Sequence, residues 1–155
     1  MTEWTSLLEY GAFKVVPIEE SKGQKLFSAL WVLKRKFSGA TSAISRLKAR
    51  LVVRGFEQRP GAHFDESNLY AGVMMYSSLR TLLSTATAKG YGISLRDVRN
   101  AYIQSDLPDD LYMELPEGFK EDGKCLRLAK ALYGLRQAGH LWSATFSGFL
   151  RSLSF

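Results

Sequence analysis

Leu95-Arg-Asp-Val-Arg-Asn-Ala-Tyr-Ile-Gln-Ser-Asp-Leu107 places one carboxylate, Asp97, at the end of an apolar-leaning stretch. Upstream, Tyr91, Ile93, Leu95 and Asp97 fall on one side of an extended chain. The spacing therefore predicts a strand over 91–97 that delivers the carboxylate to its C-terminal edge, where it can face a cleft. Five residues on, Tyr102 can be folded back over the same spot by a short helical turn through Asn100 and Ala101. A carboxylate under an aromatic ring suits a nucleotide seat. The plainer reading is that Asp97 caps the turn that follows it, as aspartates at strand-to-helix steps commonly do.

Working outward, Ser77 or Ser78 is the expected cap of a helix whose Leu79, Leu82, Leu83 and Ala86 keep helical spacing, read as core packing. Gly90 after Lys89 is its expected end. Beyond the central stretch comes a turn at 107–110. Strands are then expected over 111–114 and 124–128, separated by Pro116-Glu117-Gly118. The tail, 138–153, carries Leu141, Trp142, Phe146, Phe149, Leu150 and Leu153 as a wide apolar stripe that needs a surface to lie on.

On the N-terminal side, 27–37 is rich in aromatic and branched residues. Ser38-Gly39 and a polar stretch then turn the chain back into 44–54, a β-hairpin. Its second strand alternates, with Leu47, Ala49, Leu51 and Val53 on one face and Arg46, Lys48, Arg50 and Arg54 on the other, broken only by Val52. One face packs and the other is cationic, either to meet phosphates or to keep a strand face solvated. Residues 1–26 are poorly patterned apart from a short strand over 13–16. The segment 55–76 reads as an irregular connector, and its His63, Asp65 and Glu66 match no standard ligand spacing. Helices and strands in this order indicate an α+β fold.

A chain of 155 residues with 46% apolar residues can bury a core, which argues against wholesale disorder. The single cysteine, Cys125, rules out an internal disulfide and reads as a small core residue suited to a reducing compartment. No apolar run is long enough to span a bilayer, and residues 1–10 lack the pattern of a signal peptide, so an intracellular protein with no membrane partner is expected. The net charge of +6 is concentrated around the hairpin. An acidic stretch, including Asp106, Asp109, Asp110 and Glu114, partly balances it and is expected to face solvent.

Several blocks in order resemble one family, the reverse transcriptase of copia-type LTR retrotransposons. They are Lys48-Ala-Arg-Leu-Val-Val-Arg-Gly-Phe-Glu-Gln58, Ser78-Leu-Arg-Thr-Leu-Leu83, Leu95-Arg-Asp-Val-Arg-Asn-Ala-Tyr102, Leu111-Tyr-Met-Glu-Leu-Pro-Glu-Gly-Phe119 and Lys130-Ala-Leu-Tyr-Gly-Leu-Arg-Gln-Ala138 followed by Trp142. The combination covers 31–155 and is specific.

The resemblance implies a fingers hairpin at about 27–56 and part of a palm, an incomplete sheet packed on helices, at about 77–155. It also implies Asp97 as a catalytic ligand of Mg2+ and Tyr102 as the ring that selects deoxynucleotides by excluding a 2′ hydroxyl. Lys48 and Arg50 would contact the incoming triphosphate, with Tyr133, Gly134 and Gln137 near nucleotide and template. The implied partners are an RNA or DNA template with its primer, deoxynucleoside triphosphates and the rest of a polyprotein, in the cytoplasm or in virus-like particles.

The family's Tyr-x-Asp-Asp motif does not occur in these residues. Arg96, Ser105, Gly72, Gly139 and His140 stand where the family usually has an apolar residue, glycine, two prolines and arginine. A buried Arg96 would be costly. These departures imply a truncated, decayed element copy that is inactive alone, or alternatively a non-catalytic nucleic-acid-binding remnant that uses only the basic hairpin.

Overall fold

The computed structural model describes residues 3–37 and 44–154. Helix α1 (Glu3–Glu9) precedes strand β1 (Phe13–Pro17), and a short strand β2 (Leu26–Phe27) leads into a hairpin of β3 (Ala29–Phe37) and β4 (Ile44–Val53). An irregular stretch with short 3-10 turns follows. After it come α2 (Tyr76–Ala88), β5 (Tyr112–Met113), β6 (Lys124–Leu128) and α3 (Ala138–Ser152), an α+β arrangement.

Two sheets form. The first has the order β1-β6-β5-β2, antiparallel except for the β2–β5 pair. Alternation along β1 and β6 sends Phe13, Leu126 and Leu128 into the main core with Phe27, Met113, Ile103 and Leu132. The opposite side buries Val16, Tyr112 and Cys125. Cys125 is a free, buried thiol whose pKa is raised first by burial and then by Glu20 and Glu19.

The second sheet is the antiparallel hairpin, whose two strands match the sequence expectation; its turn, 38–43, lies outside the described residues. The base of its apolar face is fully buried at Leu51 and Val53, whereas Leu33 and Leu47 towards the turn are more than 70% exposed. Packing therefore holds only the lower half of the face that alternation marks as apolar. Trp31 anchors that half by donating its indole N–H to the Glu117 carbonyl at 3.0 Å. The Phe119 ring lies 6.2 Å from Trp31 and stacks on Trp4 of α1 at 4.2 Å.

Helix α2 corrects two expectations. It starts at Tyr76 with Met75 at the N-cap and no side-chain cap, so neither Ser77 nor Ser78 caps it. It also buries no residue, and Leu82 is 61% exposed. Helical periodicity shows that a face is apolar, not that its cover lies within the same residues. The expected end is present: Gly90 at φ +68° closes the helix, with Gly90 N–H donating to Thr87 O at 3.1 Å and Tyr91 N–H to Ala86 O at 2.8 Å.

The strand expected over 91–97 is absent, and 91–98 has no regular structure. A strand forms only when its backbone groups have a ladder partner, and none of the described strands pairs here. Leu95 is 97% exposed as a result. Arg96 is exposed as well, so the desolvation cost expected for it does not arise.

Helix α3 matches its amphipathic pattern. Ala138 is buried and Leu141 packs on the core, but Phe149 and Leu153 are more than half exposed. Among the described residues no helix is long and apolar enough to cross a membrane.

Candidate nucleic-acid interface

The hairpin register sets Lys34 directly opposite Lys48, Lys36 opposite Arg46 and Val32 opposite Arg50. Because cross-strand partners share a face, five cations stand on one surface of this two-stranded sheet. Like charges in directly opposed positions destabilise a sheet, which makes this face costly unless an anion meets it. The sequence pattern showed the β4 half of this surface; the register adds Lys34 and Lys36. Arg54, beyond the end of β4, is exposed and donates its N–H to Ser28 O at 3.1 Å.

At the base of the cationic face, the Arg50 guanidinium lies over the Tyr133 ring, 5.1 Å from its centroid. Tyr133 in turn meets Tyr102 edge to face at 4.8 Å. Three of the residues singled out in the sequence thus form one contiguous file, and Lys48 lies two residues from Arg50 on the same face. Tyr102 opens a 3-10 turn (Tyr102–Gln104) and packs against the main core.

Gly134 sits beneath this file at φ +97°, where a Cβ would collide with the Val53 carbonyl and the Val52 side chain. Val53 N–H donates to Tyr133 O at 2.8 Å and fixes the segment to the hairpin edge.

Glu3 adds a carboxylate that sequence reading passed over. It is partly buried, within reach of the Leu51 backbone and of the charges of Lys48 and Arg50. Burial, the largest influence, pushes its pKa up, and those three partners pull it down. Nothing local in the sequence of α1 signals this contact.

Gln137 is 2% exposed and belongs to a clasp with Gln58, which is 4% exposed. Gln58 Nε2 donates to Gln137 Oε1 at 3.0 Å, and Gln137 Nε2 donates to Asp109 Oδ2 at 2.8 Å and to His63 O at 3.2 Å. Arg136 N–H donates to Gln58 Oε1 at 2.9 Å. His63 Nδ1 accepts the Arg59 N–H at 2.8 Å, and its pKa is lowered by burial and then by Lys25 and Arg59. Asp65 accepts the Ser67 N–H at 2.9 Å.

Asp97 is exposed in the irregular segment and has no hydrogen-bond or ion-pair partner among the described residues. It does not cap the turn at Tyr102, whose cap position is Ala101 with no side-chain bond. Among the described residues no group of three or more His, Cys, Asp or Glu side chains could hold a metal ion. The acidic stretch is mostly exposed and paired, with Asp106 to Lys130 at 2.6 Å, Asp110 to Arg127 at 2.9 Å and Glu121 to Lys124. The residues present therefore do not, by themselves, fit a two-ion magnesium centre.

Residues 10–155 match the sequence family described as reverse transcriptase (RNA-dependent DNA polymerase). The chain is 40% identical over 156 residues to the retrovirus-related Pol polyprotein from transposon TNT 1-94 of Nicotiana tabacum, covering 99% of this chain and 11% of that polyprotein. It is 35% identical over 128 residues to the corresponding polyprotein from transposon RE1 of Arabidopsis thaliana, covering 81% of this chain and 8% of the relative. A Gag-Pol polyprotein of transposon Ty1-BL of Saccharomyces cerevisiae is 30% identical over 132 residues, covering 85% of this chain and 7% of the relative. The chain thus spans about a tenth of the length of the curated relatives it matches. No solved structure matches.

Proposed function

Since the chain belongs to the reverse transcriptase (RNA-dependent DNA polymerase) family, in its copia-type LTR-retrotransposon branch, we propose that it is the fingers and first part of the palm of an RNA-directed DNA polymerase. On this reading 27–56 is the fingers hairpin, 77–155 belongs to the palm and 1–26 leads into them. The observation that carries it is the cationic hairpin face running directly into the Arg50–Tyr133–Tyr102 file.

The chemistry of that file suits a nucleotide. Lys48 supplies a compact positive charge and Arg50 a planar donor fork for triphosphate oxygens. The Tyr102 ring is held by the core and by Tyr133, and this support suits the role of excluding a ribose 2′ hydroxyl. Gly134 permits close approach of the backbone beneath. Gln137 acts through the clasp that seats 133–137, so its part in nucleotide binding is indirect.

The family's reaction relies on divalent metal ions held by several carboxylates, and Asp97 is the one candidate these residues offer. One exposed carboxylate cannot offset the repulsion between two adjacent Mg2+ ions. We infer that the 155-residue chain by itself does not extend a primer. Template, primer and deoxynucleoside triphosphates would engage it as part of a larger Pol polyprotein, in the cytoplasm or in virus-like particles.

The test is magnesium-dependent extension of a DNA primer on an RNA template by the purified chain, beside Asp97→Ala. No extension by either is the expected result. Extension that Asp97→Ala abolishes would show that other carboxylates complete the centre.

A second reading, nucleic-acid binding without catalysis, is favoured by a cationic face that is complete while the metal centre is not. It predicts salt-sensitive binding that Lys48→Ala weakens and Asp97→Ala leaves unchanged.

A further inference from the structure

The Arg50–Tyr133–Tyr102 file begins and ends on different elements, with Arg50 on β4 and Tyr102 at the opening of a 3-10 turn. The turn at 99–101 sets where the Tyr102 ring lies, and the irregular 91–98 before it offers no ladder to steady it. Asn100 stands in this turn at φ +51°, in the left-handed region that asparagine tolerates better than most residues with a side chain. Its Nδ2 donates to Ser6 Oγ of α1 at 3.3 Å, across 94 residues of sequence.

Helix α1 is itself well seated. Leu7 is 4% exposed, and Trp4 stacks on Phe119 at 4.2 Å and lies 4.9 Å from Phe13. The same helix packs on β4. It therefore touches both the strand that bears Arg50 and the turn that bears Tyr102. It also precedes residues 10–155, the part that matches the family.

We propose that Asn100 is a positioning residue for nucleotide selection, and that it works by tying the Tyr102 turn to α1 through Ser6. This rests on the reading of Tyr102 as the ring that excludes a ribose 2′ hydroxyl, and it adds the groups that keep that ring in place. An apolar wall rejects an added hydroxyl only weakly, and one that can swing aside rejects it less. The edge-to-face contact with Tyr133 fixes the ring but leaves the backbone beneath it free to shift. Asn100 removes that freedom: its left-handed geometry orients the turn, and its amide pins the turn to a helix seated on the core.

The test uses the full 155-residue chain labelled with fluorotyrosine, whose Tyr102 resonance is assigned with Tyr102→Phe. Ser6→Ala removes the acceptor and favours the helix, so α1 is retained. Asn100→Gly removes the amide but keeps the left-handed backbone. Ser6→Thr keeps a hydroxyl and serves as the rescue. Fluorine NMR follows Tyr102 in each, alone and in titrations with dATP and with ATP. In Ser6→Ala and Asn100→Gly the Tyr102 resonance should move towards the position of free tyrosine. The preference for dATP over ATP should fall by about threefold, the size expected for one neutral hydrogen bond. Ser6→Thr should match the wild type in both.

A Tyr102 resonance and a dATP preference that both stay at wild-type values in Ser6→Ala and Asn100→Gly overturn the tie and leave the reading of Tyr102 intact. A wild-type chain that does not distinguish dATP from ATP overturns that reading, and the role given to Asn100 with it.

Discussion

The carbonyl oxygen of Gly134 occupies the place where a Cβ on Gly55 would stand, and the carbonyl of Val53 does the same to Gly134. Two backbones cross at the foot of the hairpin with no room for a side chain on either. Gly134→Ala adds left-handed strain at φ +97° to this collision, and the obstacle is backbone that cannot rotate away. We expect a loss of about 3 kcal/mol in urea unfolding, with Gly55→Ala affected in the same direction. The Tyr133 ring should also move from Arg50, which near-ultraviolet circular dichroism would register.

Ser105 is 1% exposed, and its hydroxyl has no hydrogen-bond partner among the described residues. Its backbone is fully used, with the N–H donating to Tyr102 O and the carbonyl accepting from Ala131 N–H, each at 3.0 Å. Ser105→Ala removes the unpaired hydroxyl and keeps the backbone. Stability should rise by about 1 kcal/mol, seen as a higher urea midpoint at unchanged slope. A lower midpoint would mean that the hydroxyl has a partner.

Much of this arrangement was legible locally. The hairpin and α3 follow from alternation and helical spacing within single stretches, and Gly90 follows from the backbone requirement at a helix end. The Gln58–Gln137 clasp was not legible, because its members lie 79 residues apart and each looks like an ordinary polar side chain. The strand expected at 91–97 fails for a related reason: alternation encodes a face, but a ladder partner is needed to fix it. At the candidate site, Lys48, Arg50, Tyr102 and Tyr133 were identified from motif resemblance, while the facing of Lys34 on Lys48 became visible only through the register of the hairpin.

His63 gives the fold a dependence on acid. Its folded-state pKa lies below the ordinary value of 6.5, so the unfolded chain binds the proton more readily. Its Nδ1, moreover, must stay unprotonated to accept the Arg59 N–H. The sign follows from linkage: this contribution is complete above the unfolded value and is lost as pH falls from about 6.5 towards and through the lower folded value. Urea unfolding at a series of pH values should show a shallower decline below pH about 6.5 in His63→Gln than in the wild type.

Lys34 separates binding from stability. It faces Lys48 across the hairpin, and Lys34→Gln relieves a like-charge pair while removing a phosphate contact. Stability should rise by about 0.5 kcal/mol, and oligonucleotide binding should weaken with a salt slope shallower by about one. A fall in both would indicate that Lys34 packs against the hairpin more than it repels.

The pairing of β1 with β6, in which Phe13 meets Leu128 and Pro17 meets Lys124, also governs how the protein is made. Strand β1 leaves the ribosome well ahead of β6 and must wait for it before its ladder can close. Phe13 and Val16 remain unsheltered until β6 arrives, and the hairpin, whose partners are near in sequence, has time to assemble first. The order of folding therefore runs from the cationic hairpin towards the sheet beneath it, opposite to the order of burial.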